Sequence, residues 1–132
     1  MAGYSSKNLI DKLGIKKGQL VYFRDAPKEY FDDLGKIPEG VFVAKKLNRP
    51  VDFMHAFYTE ESKLQEDMTL FKQYLEFNGM LWISWPKKAS KVKTDITEQT
   101  LRDVLLPINL VDIKVCAVDD IWSGLKFVWR KN

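Results

Sequence analysis

Two short runs constrain this chain more than anything else in it. Val51–Tyr58 (VDFMHAFY) is apolar on both faces after Asp52, and Met80–Trp85 (MLWISW) is apolar on both faces until Ser84. A strand with one wet face alternates apolar and polar residues, whereas a strand apolar on both faces has to be covered on both. Helices packed on each side of a parallel sheet supply that cover.

The remaining chain alternates in keeping with this. Ser5 or Ser6 is placed to cap a short helix through Leu13, with Leu9, Ile10 and Leu13 on one face and Gly14 at its end. A strand over 19–24 follows, then Asp25-Ala26-Pro27 as entry to a short helix that ends at Gly35. A second strand is expected over 41–47. Thr59 is expected to cap a long helix through Phe77, with Leu64, Met68, Phe71 and Leu75 as its stripe. Asp95 or Thr97 starts another helix that ends by Pro107. Strands over 111–118 and 125–130 close as an antiparallel hairpin across the DDIWSG connection. This order predicts one α/β domain over residues 1–132. It is a three-layer sandwich whose mostly parallel, Rossmann-like sheet ends in a C-terminal β-hairpin.

Composition narrows the function classes. The net charge of +3, from 21 basic and 18 acidic residues, is too small to point to nucleic acid or a membrane surface. No apolar run approaches the roughly 20 residues of a membrane helix, and the start MAGYSSKNLIDKL lacks the apolar stretch of a signal peptide. Cys116 is the single cysteine, which excludes an internal disulfide and fits a reducing compartment, so the expected location is cytoplasmic. With one histidine, His55, and no paired cysteines, no metal site is expected.

In open α/β sheets ligands bind outside the carboxyl ends of the strands. The residues expected at that rim are Asp25, Thr59, Trp85, Asp119, Trp122 and Ser123. Lys87, Lys88, Ser90, Lys91 and Lys93 form a lysine-rich loop beside Trp85. This loop is either a pocket for a small anion or a solvated surface balanced by Asp119 or Asp120. The bland reading of His55 and Cys116, both mid-strand, is core. Ser123 is followed by a strand and not a helix, which argues against a hydrolase elbow. The aspartates of the turn read as acids that bond backbone amides.

The element order resembles a shortened class I methyltransferase. That resemblance implies a glycine-rich turn after the first strand and an acid after the second to hold ribose hydroxyls. Here the turn is FRDAPKEYF, without glycine, and the second position carries Lys45, Lys46, Leu47 and Asn48. Both departures argue against S-adenosylmethionine, and no cofactor is expected. At the level of words, MLWISWPKKAS, TDITE and LVDIKVCAVDDIWSGLKFVWR, with KLGIKKG, DAPKEY and IPEGV earlier, resemble the bacterial family called domain of unknown function 3052. That resemblance implies a bacterial cytoplasmic protein and transfers no catalytic residues.

Three functions follow from these readings. The first is a degenerate Rossmann-like domain acting as a non-catalytic binding or interaction module. The second is an enzyme on a small anionic substrate at the rim. The third, and weakest on net charge, is a nucleic-acid binder using Trp85 and Trp122. Neither the protein partner nor the oligomeric state is legible.

Overall fold

The computed structural model describes residues 8–131. Among them six strands form one sheet: β1 (Leu20–Arg24), β2 (Phe42–Val43), β3 (Val51–Phe57), β4 (Leu75–Pro86), β5 (Leu110–Ala117) and β6 (Trp122–Trp129). Their order is β2-β1-β3-β4-β6-β5. The first four pair in parallel, and β6 pairs antiparallel with both β4 and β5. The mostly parallel Rossmann-like sheet with its hairpin is therefore the observed fold.

Helices cover both faces, as the doubly apolar strands require. On one face α1 (Leu9–Leu13) and α2 (Lys28–Leu34) pack Leu9, Ile10, Leu13, Tyr30 and Leu34 on Val21, Phe53, Phe57 and Trp82. On the other, α3 (Glu61–Tyr74) and α4 (Glu98–Leu105) set Leu64, Met68, Phe71, Leu101 and Leu105 on Met54, Ala56, Leu81, Ile83, Leu125 and Phe127. Residues 53 and 57 of β3 thus face one layer and 54 and 56 the other, the period of two expected of a strand. A five-residue helix such as α1 is far below the length at which helices persist alone. It is held by its three buried apolar residues and by the Trp82 indole N–H, which donates to the Leu13 carbonyl at 2.8 Å. Gly14 closes it at φ 85°, in the left-handed region that favours glycine. The cap at its start is Asn8, which accepts from the Asp11 N–H; Ser5 and Ser6 lie outside the described residues.

Boundaries differ from expectation in several places, among them the last strand, expected over 125–130 but beginning at Trp122. The strand expected over 41–47 shortens to Phe42–Val43, because only its β1 side is paired and the chain leaves the sheet after Ala44. The helix expected to run from Thr59 through Phe77 spans Glu61–Tyr74, with Glu60 at its cap position. Residues 75–79 belong instead to β4, where Asn78-Gly79 is not a helix stop. Leu75 pairs with Val51 and Met80 with Phe53, so the intervening residues bulge out. A Cβ at Gly79 would lie 2.9 Å from Leu75 Cδ1 and 3.1 Å from the Asp52 carbonyl oxygen, so the bulge needs glycine for space.

Thr97 begins α4 with a reciprocal capping box: it accepts from the Thr100 N–H, and the Thr100 hydroxyl accepts from the Thr97 N–H. Thr97→Ala is expected to destabilise the fold by about 1 kcal/mol, read as a lower urea midpoint at unchanged slope. An unchanged midpoint would mean that α4 is held by packing alone.

Candidate functional site at the carboxyl-end rim

The rim begins where β1 ends. Arg24 is followed by Asp25 at φ 56°, a left-handed conformation that Asp tolerates better than most residues. Pro27 then occupies the cap position of α2 and contributes no N–H there. Behind this turn the Phe23 ring lies 5.3 Å from Phe31, 5.8 Å from Tyr30 and 6.1 Å from Phe53, and Ala26 packs on the same cluster. These rings pack β1 against α2 beneath the turn.

Beneath the rim lies an ion pair that the sequence reading did not anticipate. Asp67, on the inward face of α3, is 3% exposed. It receives two parallel hydrogen bonds from Arg24, Nε at 3.1 Å and Nη2 at 2.9 Å, and a third from the Tyr58 hydroxyl at 2.6 Å. Arg24 also donates to the Tyr22 hydroxyl at 2.8 Å, and Lys63 Nζ stands 3.5 Å from Asp67. This network ties the ends of β1 and β3 to α3. Burial pushes the Asp67 carboxyl up, but the bonds from Arg24 and Tyr58 and the charges of Arg24 and Lys63 outweigh it and hold it below its ordinary value. Position 67 falls three residues after Leu64 and four before Phe71, so the helical stripe carried the signal.

Of the rim residues expected from sequence, Asp25, Thr59 and Trp122 line one open cleft of about 360 Å³ with Phe57, Tyr58, Glu60 and Lys63. Thr59 and Glu60 also border a second, of about 410 Å³, with Lys93, Thr94 and Asp95. The loop carrying those last residues is pinned to the start of α3. The Thr94 hydroxyl donates to the Thr59 carbonyl at 2.7 Å, and Asp95 accepts from the Glu61 N–H at 2.8 Å. Asp95, one of the two residues expected to start α4, thus serves α3, and Thr97 is the cap of α4.

Trp85 is 8% exposed and belongs to the core under α3 and α4, and half-buried Trp122 packs edge-on against Phe57 at 5.2 Å. Trp85 has no free face for stacking a base, whereas Trp122 borders the rim cleft. The loop after Trp85 and the turn 119–123 do lie together: Trp85 pairs with Ser123, Pro86 with Trp122, and the Lys87 N–H donates to the Ile121 carbonyl at 2.7 Å. Yet among the described residues no ion pair joins Lys87, Lys88, Lys91 or Lys93 to Asp119 or Asp120. Asp119 Oδ1 accepts instead from the Ile121 and Trp122 N–H groups, both at 2.8 Å. The turn faces other acids: burial, then Asp119, Asp32, Asp120 and Glu29, push the Asp33 carboxyl on α2 up. Ser90 is spent inside its own loop, donating to the Lys87 carbonyl at 2.7 Å and accepting from the Val92 N–H.

A second buried network was also missed. His55 Nε2 lies 2.6 Å from Ser84 Oγ and Nδ1 lies 2.9 Å from the Tyr30 hydroxyl. This has the form of a base beside a hydroxyl nucleophile, but both His55 and Ser84 are wholly buried, where no substrate proton reaches them. Burial drives the imidazole down to about 3 and pushes the Tyr30 hydroxyl up. His55 is a neutral core residue that donates from one ring nitrogen and accepts at the other. Cys116 is likewise buried, and burial raises its thiol against the pull of Lys12 and Lys114. Among the described residues no group of acids, cysteine and histidine is disposed to hold a metal. No described helix is long and apolar enough to cross a membrane.

No protein-family model matches the chain, and no curated protein does. Solved structures do resemble it. A putative type 11 methyltransferase from Sulfolobus solfataricus aligns over 94% of this chain and 90% of its own, with a TM-score of 0.67 at 15% identity. The N-methyltransferase NodS from Bradyrhizobium japonicum aligns over 93% of each chain, with a TM-score of 0.61 at 8% identity. Fibrillarin from Aeropyrum pernix, in complex with natively bound S-adenosyl-L-methionine, aligns over 86% of this chain and 67% of its own, with a TM-score of 0.56 at 14% identity. At these identities the likeness is one of fold: the chain has a methyltransferase-like, Rossmann-like architecture. The residues present do not fit that cofactor. The turn after β1 has no glycine, its Asp25 being held at φ 56°, and the segment after β2 offers Lys45 and Lys46 where ribose hydroxyls call for an acid.

Proposed function

We propose that this chain is a degenerate methyltransferase-like domain that works as a non-catalytic binding or interaction module. The glycine-free turn between β1 and α2 carries the proposal: Asp25, Ala26 and Pro27 stand where the backbone would have to approach a methyl donor. The arrangement of the protonatable groups supports it, since His55, Ser84 and Cys116 are buried and Asp67 is tied up by Arg24 and Tyr58. The same proposal takes the chain as a cytoplasmic bacterial protein of the family called domain of unknown function 3052, on the SWPKKAS and WSGLKF strings.

The competing reading is an enzyme acting on a small anionic substrate in the rim cleft. Asp25, Glu60 and a single lysine, Lys63, line that cleft, and Lys63 already sits beside Asp67. Two carboxylates against one engaged ammonium repel an anion, so the binding-module reading is preferred.

Thermal unfolding with S-adenosylmethionine tests the proposal, because a ligand that binds only the native state raises its apparent stability. The expected result is no rise in Tm up to millimolar cofactor. A clear rise, or a Kd in the low micromolar range by calorimetry, overturns the proposal.

A further inference from the structure

A shallow, open basic cleft lies away from the lysine-rich loop, at the far edge of the sheet. The segment after β2 forms an open cleft of about 490 Å³ lined by Val43, Ala44, Lys45, Lys46, Asn48 and Arg49. Its polar lining is two ammonium groups, one guanidinium and one carboxamide, with no acid. Among the described residues Lys45, Lys46 and Arg49 make no ion pair, and their side chains and that of Asn48 enter no intramolecular hydrogen bond. By contrast Arg24 and Arg102 are both paired to carboxylates.

The backbone that carries these groups is fixed on both sides. The Ala44 N–H donates to the Val21 carbonyl at 2.8 Å, Leu47 is buried between the two lysines and Asn48, and Val51 is wholly buried at the start of β3. Three exposed cations are therefore carried close together on one short pinned segment before any ligand arrives. Confining like charges in this way is unfavourable, and an anion relieves it. One carboxylate carries too little charge to answer three cations. A phosphate dianion answers them better, with oxygens for both ammonium groups and a paired face for the guanidinium fork. The substitutions that disqualify this place for ribose hydroxyls qualify it for phosphate.

We propose that the cleft after β2 is an anion site for a phosphate group, either free or carried on a small molecule such as a nucleotide. The site goes beyond the binding-module reading and does not depend on it: cofactor binding at the β1 turn would sink that reading and leave this one standing.

The test is a two-dimensional amide NMR titration at constant ionic strength with inorganic phosphate, pyrophosphate and adenosine monophosphate, with chloride as the reference salt. Saturating shifts confined to residues 43–49 are expected. Replacing Lys45, Lys46 and Arg49 together by glutamine is expected to weaken binding by about tenfold or more, since charge-assisted bonds are lost. Lys114→Gln, on the opposite edge strand, is expected to leave binding unchanged. If the triple variant fails to fold, Arg49→Gln alone is read in the same way. Tighter binding of the nucleotide than of phosphate identifies a carried phosphate, and equal binding a free one. Shifts that do not saturate, that spread over lysines across the surface, or that survive the triple substitution overturn the proposal.

Discussion

Replacing Asp67 by alanine is expected to destabilise the fold by about 3 kcal/mol, at the low end of what breaking a buried pair costs because the Arg24 side chain keeps 26% of its exposure. The loss has two parts. Arg24 and the Tyr58 hydroxyl lose the acceptor they share, and a guanidinium stays beneath the rim without a counter-charge. The Asp67 carboxyl is held below its ordinary value of 3.8, so its contribution is present in full above that pH and fades as pH falls through the depressed value. Chemical denaturation of the wild type and of Asp67→Ala at neutral pH measures the difference. A midpoint shift equivalent to less than about 1 kcal/mol would place this pair among ordinary surface ion pairs.

His55 is expected to make the fold acid-sensitive well above the carboxylate range. Its imidazole falls from an ordinary 6.5 to about 3 in the folded protein because burial penalises the charged ring. The unfolded chain takes up the proton first. Stability is therefore undiminished above about 6.5 and declines as pH falls from there towards about 3. The slope for one group is about 1.4 kcal/mol per pH unit, so the window is worth at most about 4 to 5 kcal/mol. His55→Gln keeps a donor and an acceptor for Ser84 and Tyr30 but cannot take up the proton. Its stability is expected to be flatter over this window than that of the wild type, whatever its value at pH 7. Identical slopes for the two proteins would show that another group carries the acid dependence.

Both predictions rest on contacts that a reading of the chain alone passes over, for a physical reason. The layers were legible because they depend on short-range pattern: strands apolar on both faces, and stripes at 64, 68 and 71. His55 was legible as core because it sits between Phe53 and Phe57 on one face of β3. Its partners were not, since Tyr30 and Ser84 stand 25 and 29 residues away and meet it only when α2 and β4 pack. The same holds for Arg24 and Asp67, which are 43 residues apart. Asn78-Gly79 misled because glycine ends helices more often than it makes room for a bulge, and only the close approach of Leu75 and Asp52 tells the two apart. The rim was legible as a place, because strand direction determines it. Which of its residues are free was not: Trp85 turns into the core, Asp119 bonds its own turn, and Ser90 closes its own loop.

The strand order has a consequence for how the protein is made. Of all the strands described, β6 leaves the ribosome last, yet it takes a place inside the sheet, between β4 and β5. Until it arrives, β4 exposes a bare edge of unpaired amides and carbonyls along its most apolar stretch, and β5 has no strand to pair with at all. Synthesis therefore passes through a stage in which the two most apolar strands, β3 and β4, are made and one flank of the sheet is open. Closure waits for contacts between segments about 40 residues apart, which are slow to form. The hazard to this chain lies less in the finished molecule than in that interval, when an open edge can pair with a neighbouring chain instead.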